Sequence, residues 1–200
     1  MPELLQNAVK ATKSSQWFFK YQLYDDELAK AFISQHYGNT WLDLYTRNKI
    51  AASRCDMFRL LALYQLGGFY VDLSMEISTS LSKFRDFDLV LLQRDDMAKQ
   101  NNRPVESAHF TNSIIGAPKK SPYLKRCITL MQNRLESGSY NNDVIQATGP
   151  GILNECLKSI DEDFKFNKVQ FSLARGNLFN YRRVKGFSNS WVEQQKSGIY

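Results

Sequence analysis

No run of apolar residues in this 200-residue chain approaches the ~20 that a membrane-spanning helix requires. Met1 to Lys20 also lack the apolar stretch of a secretory signal. Together these absences predict a cytoplasmic protein. Cysteine is scarce: Cys55, Cys127 and Cys156 are widely spaced and form no CxxC pair, which leaves zinc and thiol-redox motifs without support. Each reads as a small apolar residue in a helix. The two histidines, His36 and His109, match no catalytic pattern and read as structural. Internal repeats and low-complexity segments are absent too, which excludes solenoid and disordered classes.

What is present fits one folded unit. Hydrophobic residues make up 43% and charged residues 23%, enough for a single substantial core. We therefore read residues 1–200 as one domain, with 182–200 as a lid or tail, because that end has little periodicity. The net charge of +6 is local. From Phe164 to Tyr200 the basic residues Lys165, Lys168, Arg175, Arg182, Arg183, Lys185 and Lys196 face one acid, Glu193. Such a stripe suits an anionic partner: a diphosphate, a membrane surface or a nucleic acid. Nothing upstream resembles a nucleic-acid module, so no nucleic acid is expected; peripheral membrane contact through this region stays open.

Hydrophobic periodicity predicts alternating strands and helices. Leu4 to Phe18 is weakly helical, Tyr21 to Tyr24 is a short strand candidate, and Asp25-Asp26 caps a helix from Glu27 to His36 that continues as helix or turn over Trp41 to Thr46. Within Ile50 to Leu66, Met57, Leu60, Leu61 and Tyr64 fall on one helical face. Gly67-Gly68 stops that helix, and Phe69 to Val71 follows as a strand ending at Asp72. Phe87 to Gln93, Phe110 to Ala117 and Lys168 to Leu173 read as further strands. Ser121-Pro122 opens a helix, and Thr148-Gly149-Pro150-Gly151 turns into another bearing Ile152, Cys156, Leu157 and Ile160. The pattern predicts an α/β fold with a mainly parallel sheet flanked by helices. In such sheets ligands bind at the carboxyl ends of strands, where Asp72 stands.

Asp56 and Arg59 lie three apart on a helix and share an edge. One accepts and the other donates hydrogen bonds, a combination suited to adjacent sugar hydroxyls. Alone, the pair fits an exposed intrahelical salt bridge equally well. Asp72 could hold a divalent cation against a diphosphate, since magnesium and manganese use one or two carboxylates plus phosphate oxygens.

The run Ser53 to Ile77, SRCDMFRLLALYQLGGFYVDLSMEI, resembles the core signature of the DXD sugar-binding glycosyltransferases: an Asp and an Arg three apart on a helix, Leu-Tyr, Gly-Gly, an aromatic, then DxD. That family includes initiating mannosyltransferases, bacterial capsular polysaccharide transferases and, more distantly, clostridial glucosylating toxins. Trp17 to Glu27, Asn112 to Pro122, Thr148 to Leu153 and Lys185 to Trp191 are similar to its other motifs, so the likeness spans nearly the whole chain. The resemblance implies a GT-A fold, a UDP- or GDP-linked sugar donor, manganese or magnesium, and retention of configuration. It implies that Asp56 and Arg59 contact donor sugar hydroxyls, that Asp72 contacts ribose, sugar or a metal-bound water, and that Ser190 and Trp191 close over the diphosphate. Tyr70 of the motif is read as donor-binding, and Asn112 as a candidate for donor or acceptor contact, with support of its own loop an equal reading. The acceptor would be a glycan, lipid or protein.

Three features depart from the family pattern. The DxD is Asp72-Leu73-Ser74, which leaves Ser74 and Glu76 as weak substitutes for the second metal-binding carboxylate; Glu76 is expected on the same strand face as Ser74. The usual opening strand, a Pro-Lys-Ile-Ile-His-like run, has no counterpart before Met1-Pro2-Glu3-Leu4, so the first strand is expected to be missing. Lys185 replaces a His six residues before the closing Trp. The expectation is a metal-dependent glycosyltransferase, with a catalytically impaired sugar-nucleotide binder as the alternative. Asp95-Asp96 and Asp161-Glu162-Asp163 read as exposed turns or helix starts, because a retaining transfer needs no carboxylate pair of the glycosidase kind.

Overall fold

The structure, a computed structural model, describes residues 1–101, 109–159, 165–170, 174–181 and 190–200. In chain order these form α1 (Glu3–Ser15), α2 (Asp26–Arg47), α3 (Ala51–Leu66), β1 (Gly68–Val71), β2 (Met75–Ile77), β3 (Leu89–Gln93), α4 (Asp95–Gln100), β4 (Phe110–Ala117), α5 (Pro122–Ser137), α6 (Val144–Ala147), α7 (Pro150–Cys156), β5 (Phe166–Gln170), β6 (Phe179–Tyr181) and α8 (Ser190–Gln194). The chain divides into two compact units, each assembled from three separate stretches.

The first unit comprises Met1–Gln22, Gly68–Ala117 and Phe164–Ser188. Its four-stranded sheet has the order β1-β4-β3-β5. β4 runs antiparallel to both of its neighbours, and β3 pairs with β5 in parallel. Three strands thus share one direction and β4 opposes them, so the α/β class holds with a mixed sheet rather than a run of parallel pairs. β3 reads LVLLQ and is buried along its whole length, as a strand flanked on both edges must be. A separate antiparallel pair, β2 and β6, forms a second sheet in which Ile77 faces Phe179. Met75, Ile77, Leu81, Leu92, Ile114, Leu178 and Phe179 pack into one buried cluster.

Helix α1 satisfies the edge of β2 with side chains instead of a further strand. The Ile77 amide donates to Thr12 Oγ1 at 3.0 Å, and Ser15 Oγ donates to the Ile77 carbonyl at 2.6 Å. Gln16 Nε2 donates to the Thr79 carbonyl and its Oε1 accepts from the Leu81 amide, both at 2.8 Å. Buried strand-edge groups need such partners.

The second unit comprises Leu23–Gly67, Pro118–Asp163 and Asn189–Tyr200, and its described elements are helical. No strand forms over Tyr21 to Tyr24. Asp25 instead caps α2, accepting from the Leu28 amide at 2.8 Å, and the Tyr24 ring packs on Phe32 and Phe58 with no strand partner beside it. Helix α2 runs through Thr46 as expected, with a break at Gly38, whose φ of 76° suits only glycine. Helix α3 is buried from Asp56 through Leu63 on every face, so it is the centre of its unit rather than a surface helix. Gly67 ends it at φ 69°, close against the Lys119 backbone. Ser121 caps α5 as its sequence predicts, accepting from the Leu124 amide.

The expected strand over Lys168 to Leu173 starts earlier, at Phe166; residues 171–173 lie outside the described residues, as do Ile160, the acidic run 161–163 and most of the expected lid, 182–189. No helix of the described residues is long and apolar enough to cross a membrane.

Candidate functional site

In the second unit, Asp56 and Arg59 are held by helix α3 with Oδ1 and Nη2 3.1 Å apart. Their side chains keep only 10% and 6% exposure. That burial removes the exposed salt-bridge reading: desolvating two charges costs several kcal/mol unless they pair well and satisfy their remaining hydrogen-bonding capacity. A polar relay does part of this. Asn48 Nδ2 donates to Ser53 Oγ at 2.7 Å, Ser53 Oγ lies 2.9 Å from Thr148 Oγ1, and Thr148 Oγ1 donates to Asp56 Oδ2 at 3.5 Å. Each hydroxyl carries one proton, so Asn48 entering from one end turns the protons toward the carboxylate, which only accepts. Arg59 Nε donates to the Cys55 carbonyl at 3.4 Å. Asn48, Ser53 and Thr148 are themselves buried.

Sequence reasoning reads Thr148 only as part of a turn and does not use Asn48 or Ser53. Thr148 lies 92 residues from Asp56 in the chain. The one available signal was the Thr-Gly-Pro turn itself: Gly149 and Gly151 stand where a Cβ would crowd the Ile145 backbone, so the turn packs tightly on α6. Thr148→Val keeps the shape and removes the donor. It is expected to lower stability by about 1–3 kcal/mol, measured by urea denaturation.

In the first unit, one end of the main sheet gathers the carboxyl ends of β1 and β3 and the amino end of β4. Asp72 follows β1. Its amide donates to the Ser113 carbonyl at 2.9 Å, and Tyr70 Oη donates to its Oδ1 at 2.7 Å, a short bond of the charge-assisted kind. The register of β4 against β3 shifts between Leu91 and Leu92, which leaves Asn112, Ser113 and Ile114 as an irregularity beside Asp72. Tyr70 and Asp72 are therefore joined at one sheet end, where Asp72 also bonds Ser113, the chain neighbour of Asn112. Asp95 opens α4 just after β3; it is a helix start as expected but fully buried rather than exposed, with Lys99 Nζ 3.1 Å from its Oδ2. Arg94 and Asp96 pair at 2.8 Å.

Asp72, Leu73, Ser74 and Met75 form a tight turn closed by the Met75 amide on the Asp72 carbonyl at 2.8 Å. Ser74 thus precedes β2, and Glu76 does not share a strand face with it. Glu76 sits on β2 opposite Asn180, whose amide lies 3.5 Å from its Oε1. A cleft of about 10 Å³, room for one water, lies beside Asp72 and is walled by Ala8, Thr12, Tyr21, Val71 and Met75. Among the described residues no three His, Cys, Asp or Glu side chains are grouped to hold a metal. Hard cations need only one or two protein carboxylates when a diphosphate supplies the other oxygens, so Asp72 and the Ser74 hydroxyl meet the minimum for such an ion.

Ser190 and Trp191 stand in the first turn of α8, while Lys185 lies outside the described residues. The His36 ring lies tilted against Phe32 at 4.4 Å, and the His109 backbone carbonyl accepts from the Arg94 amide.

Residues 2–103, which contain Asp56, Arg59, Tyr70 and Asp72, match the model of the glycosyltransferase sugar-binding region containing DXD motif. The chain belongs to this family. An uncharacterized protein of Arabidopsis thaliana is 20% identical over 178 residues, covering 86% of this chain and 25% of that protein. An uncharacterized glycosyltransferase of Acanthamoeba polyphaga mimivirus is 22% identical over 169 residues, covering 81% and 62%. The chain therefore spans less than two thirds of either relative. Among solved structures, PaToxG glycosyltransferase superposes with a TM-score of 0.60 at 17% identity, over 78% of this chain and 64% of that one. The superposition places this family member's fold with the glycosyltransferases.

Proposed function

We propose that this chain moves a hexose from a UDP- or GDP-linked donor to a glycan, lipid or protein acceptor with retention of configuration. The observation that carries the reading is the buried Asp56–Arg59 pair. An ion pair held at 10% and 6% exposure is a poor stability device, since apolar residues of the same volume serve as well or better. A carboxylate and a guanidinium fixed side by side do suit vicinal hydroxyls, one accepting and the other donating.

In this reading Asp56 and Arg59 hold the donor sugar in one orientation. Tyr70 aims the Asp72 carboxylate, and Asn112 contributes an amide from the β4 irregularity. Ser190 and Trp191 cover the diphosphate. A manganese or magnesium ion, held by Asp72 with the Ser74 hydroxyl, would neutralise charge on the departing nucleoside diphosphate. The basic surplus toward the C-terminus supports contact with an anionic membrane surface, in a cytoplasmic setting.

A thermal-shift screen of UDP- and GDP-sugars, with and without manganese, tests the proposal. A matching donor at 100 times its dissociation constant should add about 2.7 kcal/mol of stability, and manganese should enlarge the shift. No shift from any donor, with or without metal, on a cooperatively folding sample would sink it.

A further inference from the structure

Gln16 and Phe19 fasten the turn that follows α1, and the two residues between them point out to solvent. Gln16 is buried; its side-chain amide donates to the Thr79 carbonyl and accepts from the Leu81 amide, and its own carbonyl accepts from the Phe19 amide at 2.9 Å. The Phe19 ring packs edge-on against Phe69 at 5.6 Å. Between these anchors Trp17 and Phe18 keep 72% and 65% exposure and stack on each other. Single apolar residues scattered on a surface are ordinary. A Trp–Phe pair displayed by a turn held on both sides is a contiguous apolar patch, and such patches mark interaction surfaces. The chain around it carries charge of one sign. Leu4 to Tyr24 includes Lys10, Lys13 and Lys20 and no acid, and all three lysines are exposed.

We propose that this turn is an interfacial anchor, in which Trp17 and Phe18 enter the headgroup layer of an anionic lipid bilayer while Lys10, Lys13 and Lys20 meet its phosphates. An indole has an apolar body and one N–H, which suits the boundary between headgroups and acyl chains. Anionic lipids attract lysines held within a Debye length of the surface. A neutral glycan could stack on the two rings, but it brings no charge for three lysines to meet. The contact is peripheral, since no helix of the described residues is long and apolar enough to cross a membrane. It goes beyond the transfer reading, needs no sugar nucleotide, and is separate in sequence from the basic stretch 164–200.

Co-sedimentation of the full chain with vesicles of phosphatidylcholine, alone or mixed with phosphatidylserine, tests the anchor with no donor present. Wild type should pellet with the mixed vesicles, and salt should weaken the binding. Trp17→Ser with Phe18→Ser should cut the partition coefficient roughly tenfold or more, the scale of returning two rings to water. Lys13→Gln and Lys20→Gln should each cost roughly fivefold. All four side chains are exposed, so the urea midpoint of these variants should match wild type. Trp17→Phe should keep the binding and remove the tryptophan quenching that brominated lipid causes in wild type, because Trp41 is buried.

Three results would overturn the anchor: no pelleting of wild type, equal pelleting on both vesicle types, or binding that survives the double serine change. In the last case, loss of binding in Arg182→Gln with Arg183→Gln would move the contact to the C-terminal stretch. Retention of wild type on a neutral glycan column, lost in the double serine variant and unaccompanied by vesicle binding, would replace the bilayer by a sugar. None of these outcomes alters the donor-induced thermal shift, so the transfer reading is tested separately.

Discussion

Arg59→Ala is expected to lower the unfolding free energy by about 3–5 kcal/mol, read from urea denaturation. The change leaves the Asp56 carboxylate buried at 10% exposure with its guanidinium partner removed, and a charge so placed is strongly unfavourable. Asp56→Leu combined with Arg59→Met removes both charges and keeps the volume. That double variant should regain most of the lost stability while losing the donor-induced thermal shift. This divergence separates a pair retained for chemistry from one retained for folding. A single variant within about 1 kcal/mol of wild type would show that the pair is solvated and would remove the basis of the donor assignment.

The second large effect concerns Asp72. Asp72→Asn keeps the shape, the turn closed by Met75 and a partner for the Tyr70 hydroxyl, but deletes the charge. Stability should change little, because Asp72 is only partly buried at a turn. Turnover should fall by roughly 10²-fold or more, the scale of losing one electrostatic contact made to developing charge. Manganese should then no longer enlarge the donor shift. Ser74→Asp is the reciprocal change. It places a second carboxylate in the same turn, so manganese affinity and turnover should rise. An Asp72→Asn protein with wild-type turnover and an undiminished manganese response would remove Asp72 from the site.

The chain by itself determined what acts over a few residues. Helix α5 follows from its serine cap, its proline and an apolar face at Leu124, Ile128, Met131 and Leu135; the stop at Gly67 follows from a backbone that only glycine adopts comfortably; β4 covers the same Phe110 to Ala117 that the sequence reads as a strand. The register of Asp56, Arg59, Gly67-Gly68, Tyr70 and Asp72 was legible for the same reason, since a motif is a local spacing. Tertiary structure alone decided everything that joins distant stretches. Burial of α3 on all sides, which turns an apparent surface pair into a desolvated one, depends on the helices packed around it. The relay from Asn48 through Ser53 to Thr148 spans a separation of 95 residues between its two hydroxyls. Thr12, Ser15 and Gln16 replace a strand along β2, a role no periodicity encodes. Ser74 falls in a turn rather than on a strand because the Asp72 carbonyl takes the Met75 amide, and the Tyr123 bond to the Leu153 carbonyl requires α5 and α7 to meet. Side-chain patterns set which face of an element is apolar, but the charges it buries, and against what, depend on partners that only the folded chain brings near.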